Sequence, residues 1–162
     1  MPDSSGDPAS TAWKRIWTFF HRSSRKVSLA YFLRSSPTPA SLADENLARF
    51  IFQDRYCKNG RLKHGAFMPC PVDGKTSTYR ISGVRSDLIW KMADVFVSGR
   101  GKPAIARAEI LVVDVHAAGL SVEVDRWPPR HAALGSWPTE KDRQMLIAQQ
   151  LARDACLVPR SS

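Results

Sequence analysis

The sequence predicts an α+β fold: one small domain with a largely antiparallel sheet and about three helices on one face. A basic N-terminal tail, disordered or loosely helical, precedes it. Three observations predict this. Segments with the period-2 apolar pattern of strands are interspersed with segments at helical spacing. Turn dipeptides such as Asn59-Gly60 and Asp73-Gly74 separate them, and no Gly-rich phosphate loop opens a helix. At 162 residues the chain has material for one core rather than two.

Residues 1–40 form the tail. They are rich in serine and basic residues and contain Pro2, Pro8, Pro37 and Pro39, the last two marking a linker. Near 11–22, Trp13, Ile16, Trp17 and Phe20 recur at i, i+3, i+4 and i+7, one face of a basic amphipathic helix. Such a segment docks on an anionic membrane or in a partner's groove, or serves as an organelle transit peptide. Packing on the domain, or translation from a misplaced upstream start, accounts for the same residues, and the four readings stand level.

The globular domain is expected over 41–160. Ser41 is the candidate cap of a first helix, with Asp44 and Glu45 in its first turn and Leu47, Phe50 and Ile51 as its apolar face, fading by Asp54. Asn59-Gly60 is a turn, and Ala66-Phe67-Met68 reads as a short strand stopped by Pro69. Asp73-Gly74 leads into a half-buried strand, Thr76–Ile81, with Arg80 on its polar face. Ser86 caps a helix whose stripe is Leu88, Ile89, Met92, Val95 and Phe96, stopped by Gly99 or Gly101. A buried strand spans Ala104–Leu111, and Val112–Ala118 turns helical because Gly119 occupies a C′ position. Leu120–Asp125 alternates as a strand, and His131–Gly135 is a short apolar segment. The last helix opens at Thr139 and is terminated by Pro159.

The net charge of +9 divides into +4 before Asp44 and +5 from Asp44 onward, so neither part carries the excess alone. Such a balance favours polyanionic partners: nucleic acid, anionic lipid or an acidic protein surface. No apolar run approaches the roughly 18–20 residues of a transmembrane span. Three cysteines, Cys57, Cys70 and Cys156, without paired spacing fit a reducing cytoplasm rather than a disulfide framework.

Two clusters carry the candidate chemistry. Arg55, Lys58, Arg61 and Lys63, with Tyr56 and Phe67 interleaved, suit phosphate contact and base stacking, and Arg80 extends that patch if it faces outward. Facing inward, Arg80 requires an acid such as Asp94 or Glu109. The stretch Trp127–Lys141 mounts His131, whose ordinary pKa of about 6.5 suits acid–base work, beside Arg130 and Lys141 as phosphate holders. Glu123 and Asp125 share one strand face, too few acids for a metal nuclease. Cys57, His64 and Cys70 match no zinc spacing, so no metal or cofactor is expected.

The expectation is therefore a small cytoplasmic binding or accessory module whose basic surface contacts nucleic acid or an acidic protein. A metal-independent enzyme acting on a phosphodiester or nucleotide, with His131 as acid/base, is the alternative. Docking through the amphipathic tail is a second one.

Overall fold

A computed structural model describes residues 44–97, 102–125 and 128–161. The tail expectations for Trp13, Ile16, Trp17 and Phe20, and those for Trp127, Gly99 and Gly101, lie outside the described residues.

The domain is built on a six-stranded antiparallel sheet. In chain order the elements are β1 (Asn46–Ile51), β2 (Cys57–Lys58), β3 (Arg61–Leu62), β4 (Thr76–Arg80), α1 (Ser86–Met92), β5 (Ala106–Leu111), α2 (Val112–Ala117), β6 (Ser121–Val124), β7 (His131–Gly135), α3 (Lys141–Asp154) and β8 (Cys156–Pro159). The strand order is β6-β7-β4-β1-β5-β8, and β2 and β3 form a separate hairpin. This is the α+β class that the alternating patterns predict.

Both faces of the sheet are covered at its centre, which explains the largest departure from expectation. Residues 46–51 form a strand, not the first helix. Leu47 and Ile51 point to one face, while Ala48 and Phe50 point to the other, and all four are buried. A strand buried on both sides loses its period-2 signature, and the i, i+3, i+4 spacing of Leu47, Phe50 and Ile51 then mimics a helix. Arg49, between them, is held by its side chain: Nε donates to the Ala66 carbonyl and Nη1 to that of Ser77, at 3.0 and 2.8 Å.

On the first face Leu47, Ile51, Ala106, Ala108, Ile110, Ala132 and Leu134 meet Phe67, Val112, Val115, Ala148 and Leu151 in the main core. α2 and α3 supply the helical side. Gly119, at φ 82°, ends α2 as its position predicts. α1 and the π-helical turn Ala93–Val97 cover part of the second face: the Trp90 ring lies 6.4 Å from Phe50, and the Arg107 guanidinium sits 4.7 Å over it. The apolar stripe of each helix says that it packs, but the register of the sheet decides on which face.

Two further expectations are corrected and one, the short apolar segment His131–Gly135, is sharpened. Residues 66–68 are no strand: a 3₁₀ turn, His64–Ala66, delivers Phe67 fully buried into the core. His131–Gly135 is a strand between β4 and β6. α3 begins at Lys141 and ends at Asp154, well before Pro159, because Cys156–Pro159 pairs with β5 as an edge strand. Pro is tolerated there, since an edge strand has one side free of the ladder. No helix among the described residues is long and apolar enough to cross a membrane.

Candidate functional site

α1 leaves part of the second face, over β4, β7 and β6, to polar side chains. Antiparallel pairing sets Ser77 opposite Ala133 and Tyr79 opposite His131, and Glu123 opposite Ala133 on the other side. Directly paired residues share a face, so Ser77, His131, Glu123 and the adjacent Asp125 converge.

His131 uses both ring nitrogens. Its Nδ1 lies 2.6 Å from Asp125 Oδ2 and its Nε2 lies 2.7 Å from Ser77 Oγ. A carboxylate only accepts, so Nδ1 carries the proton and, in the neutral ring, Nε2 accepts from the Ser77 hydroxyl. The ring also meets Tyr79 edge-on at 5.2 Å. The His131 side chain keeps 15% of its surface exposed and Asp125 keeps 47%, so the chain of bonds opens to solvent at its acid end.

The turn before β7 aims this histidine. The His131 N–H donates to the Pro128 carbonyl, and its own carbonyl accepts from the Asp125 N–H. Arg130 adopts φ 65°, a costly conformation for a side-chain-bearing residue, and its guanidinium reaches the carbonyls of Arg80 and Ser82 at 3.2 and 3.4 Å. Arg130 thus ties the turn to the end of β4.

Beside this chain Lys75 Nζ meets Glu123 Oε2 at 2.5 Å, and both side chains are 44% exposed. The hydrogen bond from Lys75 to Glu123, first among several influences, raises the lysine pKa and keeps the ammonium charged. The Glu123 carboxylate lies over Gly135, where a Cβ would collide with it. Burial pushes the Tyr79 hydroxyl pKa up to about 12, with Arg49 opposing.

The other sequence candidates divide. Arg80 is corrected: it faces inward and is 4% exposed, with Nε 3.2 Å from Glu45 Oε2, so it neither extends a basic patch nor holds phosphate. Its partner is neither of the acids expected, for Glu109 pairs with Arg107 and Asp94 with Arg160. Arg55, Lys58, Arg61 and Lys63 are exposed around the β2–β3 hairpin. Asn59 and Gly60 turn it at φ 55° and 70°, as the dipeptide predicts. Arg55 lies over the Tyr56 ring at 4.8 Å and donates to its hydroxyl. Lys58, Arg61 and Lys63 have no ion-pair partner among the described residues. Lys141 is the exposed first residue of α3. The hairpin cations and His131 do not converge, because the 64–66 turn next to the hairpin packs on α3, across the sheet from His131.

Ser77 escaped the sequence reading altogether, and Asp125 entered it only as a neighbour of Glu123. Asp125 and His131 flank one short turn, a signal that was within reach. Ser77 had none, since it meets His131 across 54 positions of sequence. Compared with protein-family models, curated proteins and solved structures, the chain matches none.

Proposed function

We propose that the domain is a small binding module whose β2–β3 hairpin contacts the phosphate backbone of nucleic acid, acting in the cytoplasm. One observation carries the reading: Arg55, Lys58, Arg61 and Lys63 stand exposed around the Asn59-Gly60 turn, with Asp54 the one acid adjoining them in sequence. Cations not neutralised by their own protein attract phosphates and displace counterions from them. Tyr56, half-buried under Arg55, adds an aromatic surface beside the charges. Three free thiols fit a reducing compartment.

Fluorescence anisotropy with a labelled RNA or DNA oligonucleotide tests it. Neutralising about four phosphates on duplex DNA gives a log–log salt slope near −3 to −4. Replacing all four cations with alanine should flatten that slope and weaken binding at least tenfold near 50 mM salt. No binding of the wild type at that salt, or equal binding by the two proteins, would overturn the proposal.

A second reading, a metal-independent enzyme with His131 as acid/base, is favoured by the hydrogen bonds on both ring nitrogens. Its phosphodiester form has lost Arg80 to Glu45, and the Arg130 guanidinium is engaged with backbone carbonyls. Turnover of RNA or nucleotides in EDTA that disappears in His131→Ala would restore that form.

A further inference from the structure

The hydrogen-bond chain on the open sheet face has a direction. Asp125 accepts from His131 Nδ1, and His131 Nε2 is left to accept from Ser77 Oγ, at 2.6 and 2.7 Å. That is the geometry in which a hydroxyl becomes a nucleophile: a base within hydrogen-bond reach, itself oriented by a third group. The three residues come from β4, from β7 and from just past β6, adjacent strands whose ladders hold them in place. Such constellations are recognised by geometry and role, not by sequence order.

We propose that Ser77 is the nucleophile of an acyl-transfer site that cleaves carboxylic esters, with His131 as general base and Asp125 as positioning residue. The balance of the step is complete. The Ser77 oxygen forms a bond to the acyl carbon while its proton passes to His131 Nε2, and the carbonyl π pair moves onto the carbonyl oxygen. Return of that pair expels the alkoxide, which takes the proton from Nε2 and leaves as the alcohol. Water, deprotonated by the same nitrogen, then releases the acid and restores Ser77.

The growing oxyanion needs positive charge. Lys75 lies two residues before Ser77, immediately ahead of β4, and its hydrogen-bonded partner Glu123, paired through β7 with the Ser77 level of the sheet, keeps it charged. Ser77 is half-buried on the second face of the sheet, two strands from the exposed Asp125. This reading is independent of the hairpin's contact with nucleic acid, since the two surfaces lie apart.

The test is covalent labelling of the full chain by a fluorophosphonate probe, with the adduct mapped by peptide mass spectrometry. An adduct on Ser77 is expected, slowed at least a hundredfold in His131→Ala, in the range of general-base effects. Asp125→Ala should slow labelling at least tenfold at fixed pH, and the conservative Asp125→Glu, which keeps a carboxylate for Nδ1, should recover part of that loss; a merely structural Asp125 gives no such recovery. Far-UV circular dichroism confirms that each variant is folded. Should His131→Ala unfold, Ser77→Cys decides: the new thiol should react with iodoacetamide at pH 6 at least ten times faster than exposed Cys70. No Ser77 adduct under conditions that label trypsin, an adduct indifferent to His131, or a Ser77→Cys thiol no faster than Cys70 would each overturn the proposal.

Discussion

Glu45 and Arg80 form the most deeply buried ion pair among the described residues, with side chains 1% and 5% exposed. Only one hydrogen bond joins them, Arg80 Nε to Glu45 Oε2 at 3.2 Å, and Glu45 Oε1 and Arg80 Nη2 have no partner among the described residues. At an effective dielectric near 20, two unit charges this close attract by roughly 5 kcal/mol. Desolvation of the two ions costs several kcal/mol each, so the intact pair contributes little or nothing net. Removing one member is different, because the survivor remains buried and charged. Glu45→Leu and Arg80→Met should each cost about 3–5 kcal/mol, while the double variant should return to within about 1 kcal/mol of wild type or exceed it. Urea unfolding followed by tryptophan fluorescence measures all three, provided the slope m stays constant. Single costs below 1 kcal/mol, or a double variant as destabilised as the two singles added, would refute the reasoning.

Other consequences follow from particular positions. Phe67, fully buried although it lies outside any helix or strand, should cost about 3–5 kcal/mol as Phe67→Ala in the same assay. Gly60→Ala places a Cβ at φ 70° and should destabilise by about 1 kcal/mol, with the loss confined to the hairpin's amide-exchange protection. In ultraviolet titration one of the three tyrosines should ionise late, near pH 12 rather than 10, and Tyr79→Phe should remove that late phase. The folded pKa of Tyr79 lies above its unfolded value, so its contribution is complete below about pH 10 and is lost as pH rises toward 12. An alkaline transition identical in Tyr79→Phe would contradict this.

The legible parts of the fold are those that local chemistry decides. Asn59-Gly60 turns where two positive φ values are needed, and Gly119 ends a helix where αL is needed. Ser121–Val124 forms the strand that its alternation of valines with polar residues predicts, although Val124 stays exposed at the edge of the sheet. Strand β1 carries a helical spacing because a central strand is apolar on both faces and loses its period. Strand β8 is not legible locally, because nothing in Cys156–Pro159 itself distinguishes it from a helix end. Its conformation is decided by hydrogen bonds to β5, about fifty positions away.

The candidate site divides along the same line. His131 stood out in the sequence as a titratable group in a rigid Pro-rich stretch, and Asp125 lay six residues before it. The net charge and the run of hairpin cations were likewise set by composition alone. The sequence could not say that Arg80 turns inward to Glu45, nor that Ser77 meets Nε2 of His131, pairs 35 and 54 positions apart. The physical reason is range. Backbone preference and turn chemistry act over a few residues, whereas strand order and register decide which side chains share a face. Only the placement of β4 between β7 and β1 brings a serine, a histidine and a carboxylate into one line.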